Sequence, residues 1–383
     1  MTNNRKSLRL YSLFSVGYSL LTHDSQPGDA GGILSDMLAA WVEPSVRKMT
    51  DTQTIKTMQE DTDNGLVTAW LLDGKGGGKR IGWQAISEWQ PSDGLLWMHL
   101  DYSHANSERW LQAESGISPI IQSVLISEET RPRCELFENG LLAILRGVNL
   151  NPGSDPEDMV SVRLWIEDTR IVSCRRRRIA SIRDVESALA RNAGPRTQGG
   201  FLAHLSEQLG DKVDAVIESL ENETELLEDL LLTEESSSLR PQLSTIRRTV
   251  IHLRRYLAPQ RDALKRLQAM EIDWMSQNAR SRLNEAADQT QRYLEGLDAI
   301  RDQSLVTQEE LSQKLSEQTE KRMYLLSIIT TVFLPLGFLT GLLGINVGGM
   351  PGTDSALAFW IVCLLAIVMG AGTLWILRIN RWF

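Results

Sequence analysis

Two sets of residues in the last sixty positions have types and spacing suited to handling a cation. One is the run Gly344-Ile345-Asn346-Val347-Gly348-Gly349-Met350-Pro351-Gly352, in which glycines permit tight turns and Asn346 offers an amide carbonyl as an oxygen acceptor. A loop that only reverses the chain would draw on the same Gly, Pro and Asn. The other set is Ser327, Thr330, Thr331, Gly337 and Gly341, with Leu334 among them, which share one arc of about 120° when plotted on a helix. Hydroxyls and glycines on one face suit a water-lined surface. They suit a close helix–helix contact equally well, since Gly337 and Gly341 form a small-xxx-small pair. No carboxylate or imidazole lies in this segment, so a metal passing it would meet no anionic inner-shell ligand and would keep most of its water.

Other candidates are weaker. His99, Asp101 and His104 could approach a metal, with His99 and Asp101 on one strand face, but a buried structural histidine accounts for such a cluster as well. Gly74 to Lys79 imitates a phosphate loop, yet Asp73 stands where its first Gly belongs and Arg80 where its Ser or Thr belongs, so a hairpin turn is expected. The basic run Arg175 to Arg178 reads as a solvated turn after an apolar strand. Cys134, Cys174 and Cys363 are odd in number and far apart, which supports neither a disulfide framework nor a paired-cysteine metal knuckle. No nucleophile–base arrangement emerges, so no enzyme is expected, and the net charge of -9 argues against a nucleic-acid partner.

These residues need elements to hold them. Residues 1–57 form a poorly specified arm rich in Ser, Asp, Thr and Gly; the basic and apolar-leaning stretch from Arg5 to Leu21 is too polar for a signal peptide. Residues 58–178 read as a cytoplasmic α+β domain, with strands at Leu66–Leu72, Leu95–Asp101, Leu141–Leu150, Val160–Glu167 and Arg170–Cys174. Asn139-Gly140 marks a hairpin turn, and Ser118-Pro119 a helix start. Residues 179–322 read as a helical region and stalk, broken near Gly194-Pro195, Ser236–Ser238 and Trp274, with one helix from Met275 into the first apolar span. Such a long polar helix must pack on neighbours. In residues 323–383, Met323–Gly344 and Ala356–Leu377 are each 22 residues without a charged side chain, about 33 Å as helices and enough to cross a bilayer. Between them lies a loop at 345–355, and after them a short tail at 378–383.

The stretches Glu129-Thr130-Arg131-Pro132-Arg133, Arg254-Arg255-Tyr256-Leu257-Ala258-Pro259-Gln260-Arg261-Asp262 and Val332-Phe333-Leu334-Pro335 through Gly352, with the basic aromatic end Arg378 to Phe383, resemble the CorA superfamily of metal transporters. The similarity covers about Leu66 to Phe383 and is closest to the zinc-transporting branch of that superfamily. It implies a CorA-like funnel in a bacterial inner membrane, a homopentamer whose first spans surround a pore lined by Met323, Thr330, Leu334, Gly337, Gly341, Gly344, Ile345 and Asn346. The Asn ring would stand at the periplasmic mouth, and Asp354 nearby would concentrate cations. It also implies transport of Zn2+, coupled to protons, with no bound cofactor. Magnesium-transporting relatives carry Met at the middle motif position and an acidic Met-Pro-Glu loop. Ile345 and Gly349-Met350-Pro351-Gly352 stand here instead, which favours zinc over magnesium and leaves nickel, cobalt and cadmium open. A CorA-type magnesium, cobalt or nickel channel is the alternative, and a membrane-anchored metal sensor or scaffold a more distant one.

Charge sets the expected orientation. Lys314, Lys321 and Arg322 precede the first span and Arg378 and Arg381 follow the second, whereas 345–355 holds no Lys or Arg, so both ends of the hairpin should face the cytoplasm. A cysteine placed at Thr353 should react with an impermeant thiol reagent in intact cells. Labelling at Asn380 instead would invert the topology.

Overall fold

The computed structural model describes residues 64–128, 131–232, 239–344 and 356–379. The arm, Ser236–Ser238, Ile345, Asn346 and Asp354 lie outside the described residues. The sheet comprises β1 (Leu66–Leu72), β2 (Gly78–Arg80), β3 (Leu95–Asp101), β4 (Arg133–Phe137), β5 (Gly140–Gly147), β6 (Val160–Ile166) and β7 (Arg170–Arg175), in the order β2-β1-β3-β7-β6-β5-β4. Every neighbouring pair is antiparallel except β3 and β7, which run parallel with Trp97 opposite Ile171 and Leu100 opposite Cys174.

Alternation along these strands makes two apolar faces. Leu141, Ala143 and Leu145 with Val162, Leu164 and Ile166 point to one side, where they meet α4 (Ala180–Ala190) and parts of three long helices described below. Leu96, Met98 and Leu100 with Leu142 and Trp165 point to the other, under α1 (Trp83–Glu88), α2 (Ala105–Ala113) and α3 (Pro119–Ile126). A sheet covered on both faces explains strands apolar almost throughout. Ser118 has the extended backbone of an N-cap before Pro119, but its side chain makes no capping hydrogen bond.

Both expected hairpins form, the second with its turn one residue earlier than Asn139-Gly140. Residues 73–77 close the β1–β2 hairpin, with Leu72 opposite Gly78. Asp73 Oδ1 accepts from the N–H groups of Lys75 (2.7 Å) and Gly77 (3.0 Å), and those bonds lower its pKa. The Gly-rich run thus leads into a strand, whereas a phosphate loop would open a helix. In the β4–β5 hairpin Phe137 pairs with Gly140, leaving Glu138 and Asn139 as the turn and Gly140 as the first strand residue. One expectation fails: Arg175 is the buried last residue of β7, its Nε 3.8 Å from Asp101 Oδ2, and only Arg176 to Arg178 form the exposed turn. The parallel neighbour β3 ends on Asp101, which draws the arginine inward.

The long helices are α5 (Gln198–Leu232), α6 (Leu239–Ala269) and α7 (Gln277–Leu343). Val213, Ile217 and Leu220 of α5, Leu243, Ile246, Val250 and Leu253 of α6, and Leu294, Leu297 and Ile300 of α7 recur at three- and four-residue intervals and form a shared core. Arg282 of α7 adds a two-pronged pair with Glu207 of α5 at 2.7 and 2.6 Å. Along α7, Leu283, Leu294, Leu297 and Leu311 are buried and Leu315 is exposed. The Ser276 hydroxyl accepts from Ala279 N–H at 3.2 Å and starts α7, whose 67 residues extend about 100 Å. The final helix, α8, is Ala356–Ile379.

A β-carbon at Gly140 would lie 2.6 Å from the carbonyl oxygen of Ile166 and 2.9 Å from the Trp165 ring. Gly140→Ala should therefore destabilise the sheet domain by about 1–3 kcal/mol, read as a lowered denaturation midpoint. An unchanged midpoint would show that the hairpin shifts at little cost.

Candidate ion-conduction site

The C-terminal part of α7 and all of α8 are each long and apolar enough to cross a membrane, and the rest of the described chain leaves both apolar windows uncovered. The two helices touch along one side only. On α7, Ile328, Val332, Pro335, Leu336 and Leu339 are half-buried, and Leu336 reaches towards Gly370 of α8. Met323, Thr330, Leu334, Gly337 and Gly341 lie on the opposite side, within an arc of about 60°, and all five are exposed. A β-carbon at Gly337 or Gly341 would meet nothing within 4 Å. This face is therefore left uncovered by the hairpin, open to a closely packed partner, to water or to lipid.

The threonine hydroxyls on this segment are already bonded. Thr330 Oγ1 donates to Leu326 O and Thr331 Oγ1 to Ser327 O, both at 2.8 Å, and Thr340 Oγ1 donates to Leu336 O at 2.9 Å. Each spends its hydrogen on its own helix and keeps oxygen lone pairs as acceptors. Such a face can order the waters of a hydrated cation, which donate, without supplying a ligand that would trap the metal. Gly344 closes α7 with φ -89 and ψ -2, its N–H donating to Thr340 O (2.9 Å) and Gly341 O (3.2 Å). The glycine is not serving a left-handed turn at this position, because its φ is negative.

The histidine candidates do not converge. His99 is fully buried in β3, where Ser173 Oγ accepts from Trp97 Nε1 (2.9 Å) and donates to Met98 O (2.9 Å). With the serine hydrogen so used, His99 Nδ1, 2.8 Å from that oxygen, must be the donor, leaving Nε2 a buried acceptor without a partner. Burial, reinforced by the Arg175 charge, holds the imidazole well below its usual pKa. Asp101 is taken up by Ser103 and Arg175, and His104 stands at the N-cap position of α2, where its side chain makes no capping hydrogen bond. Among the described residues no three His, Cys, Asp or Glu side chains come together as a metal site. Burial pushes the Cys134 and Cys174 thiols up to about 12, so neither supplies a thiolate.

Residues 92–378 match the family model described as CorA-like Mg2+ transporter protein. The chain belongs to the CorA family. The divalent cation transporter CmaX of Pseudomonas aeruginosa is 38% identical over 332 residues, 86% of this chain and 100% of the relative. The zinc transport protein ZntB of Pectobacterium carotovorum is 37% identical over 319 residues, 83% of this chain and 96% of the relative. The solved structure of the full-length CmaX protein matches with a TM-score of 0.74 at 38% identity, covering 85% of this chain and 100% of that one. The CorA magnesium transporter of Methanocaldococcus jannaschii has the same fold, with a TM-score of 0.71 at 19% identity over 82% of this chain and 98% of its own. As a CorA-family divalent cation transporter, the chain belongs to a group of transporters and not of enzymes.

One polar feature escaped the sequence reading. Arg163 stands in the middle of the apolar strand β6, next to Trp165 on the same face, and is buried beside Tyr102. A lone charge at an inward position of an alternating strand was the available signal.

Because folded His99 resists protonation, the unfolded chain takes up a proton first as pH falls below about 6.5. Stability should be greatest above that pH and decline towards the depressed folded pKa. His99→Asn keeps a donor for Ser173 and should flatten this slope in urea titrations between about pH 5 and 7.5. An unchanged slope would assign it to other groups.

Proposed function

We propose that this CorA-family member carries zinc across a bacterial inner membrane as a homopentamer, with the exposed arc of α7 turned to a central pore and the Asn346 ring as its filter. The observation that carries this reading is the uncovered arc Met323, Thr330, Leu334, Gly337 and Gly341 opposite the contact with α8. Copies of one helix meeting around an axis would turn the small or hydroxylic Thr330, Gly337 and Gly341 inward together with Met323 and Leu334, while α8 takes the lipid side. Zinc is supported by the name of the ZntB relatives and by Ile345 and the uncharged Gly349-Met350-Pro351-Gly352. A magnesium-type channel is the second reading, favoured by the description of the matching family model. Both ends of the hairpin face the cytoplasm in this proposal, Asp354 draws cations to the outer mouth, and metal transport is coupled to protons.

Zinc flux into liposomes at varied internal and external pH tests substrate and coupling together. Asn346→Ala removes the acceptor ring and keeps the helix, so it should assemble normally and lose roughly tenfold or more of zinc flux, or lose metal selectivity. Normal assembly with unchanged rate and selectivity would refute Asn346 as the filter. Magnesium flux without zinc flux in the parent protein would decide for the second reading.

A further inference from the structure

Far from the apolar hairpin, a cavity of about 260 Å³ opens where β3 and β7 end, between the sheet and α6. The carboxyl ends of parallel strands are a common place for ligands in α/β sheets. Arg163 lies at its inner wall, 1% exposed. Its Nη2 donates to Ser127 O, whereas its Nε and Nη1 have no partner among the described residues. The guanidinium stacks 4.8 Å from the centre of the Tyr102 ring, and the Tyr102 hydroxyl, also buried in the cavity wall, has no partner either.

Burying a guanidinium without a counter-charge is costly, and a structural arginine is normally satisfied. Arg170 in the same sheet shows the contrast, donating to both carboxylate oxygens of Glu167 and to Ser115 O. Two of the neighbouring bases are already engaged: Arg146 donates to Met159 O and stacks 4.0 Å from the Tyr256 ring, and Arg176 pairs with Glu128 at 2.7 Å. What remains at the inner end is a set of donors alone. Glu128, Glu157 and Asp158 also belong to the lining and disfavour a large polyanion.

We propose that this cavity is a binding site for a small oxyanion, a phosphate or carboxylate group received by the free guanidinium edge of Arg163 and the hydroxyl of Tyr102. The acceptor-only oxygens of such a group match the unpaired donors, and charge assistance makes those bonds short and strong. Because His252 and Tyr256 of α6 form the opposite wall, an anion held there would join the sheet to the helical bundle.

Thermal unfolding of the full-length protein in detergent tests the site, with sodium phosphate and sodium acetate as probes against sodium chloride at matched ionic strength. A saturable rise in Tm is expected with at least one oxyanion, and the arm that responds tells phosphate from carboxylate. Tyr102→Phe deletes only an unpartnered hydroxyl, so its Tm without oxyanion should equal the parent's while half-saturation weakens by about tenfold. Arg163→Met, checked for folding by circular dichroism and gel filtration, should lose the response altogether. No saturable shift beyond chloride in either arm, or an undiminished response in Tyr102→Phe, would overturn the assignment.

Discussion

The structure depends on the continuity of α7. One helix of 67 residues passes from a water-exposed bundle into a span without a charged side chain, so one backbone serves two solvents. In the bundle its apolar stripe is covered by α5 and α6, and helical stability there comes from tertiary burial more than from propensity. Beyond Met323 the stripe logic inverts, because lipid accepts apolar side chains and the residues needing cover are the small and hydroxylic ones. Pro335 lies within this part and has no N–H to give the carbonyl of Thr331, yet the helix runs through it.

The sheet is the anchor for the aqueous half of that helix. Its face of Leu141, Ala143, Leu145, Val162, Leu164 and Ile166 packs on α4 to α7, so Ala279, Leu283 and Ala286 of α7 are buried with the strands. The single parallel pair matters most for chemistry. It brings Ser173 beside Trp97 and His99, where one hydroxyl serves three groups, and it places Arg175 on Asp101. Gln260 of α6 accepts the backbone N–H of Arg146 at 2.7 Å, just past the point where β4 stops pairing with β5. A side chain thus stands in for a missing strand, and the buried donor is satisfied.

The apolar hairpin is organised by the same economy of hydrogen bonds. Threonines at 330, 331, 340 and 373 donate to carbonyls of their own helices, which lets hydroxyls sit at membrane depth without an unpaired hydrogen. A cation passing such a surface would keep its waters, since the described part of the span offers no anionic or imidazole ligand.

Patterns of local origin were legible in the sequence. β1 and β3 have the boundaries that apolar alternation predicts, the helix through to the first span begins within two residues of its expected start, and the arc of α7 follows from helical periodicity alone. β2 was missed, being three residues of Gly, Lys and Arg with little apolar signal, and β4 was sensed only through its turn. The resemblance that points to a metal transporter likewise rests on contiguous stretches of residues. Tertiary structure decided the rest, because it depends on which distant strands become neighbours. Parallel pairing of β3 with β7 turned Arg175 from a solvated turn residue into a buried one and closed His99 away from Asp101 and His104. It also took the meeting of β3, β6 and α6, from three separate parts of the chain, to leave Arg163 and Tyr102 as unpaired donors around one cavity, since pairing is a property of neighbours and not of residue type.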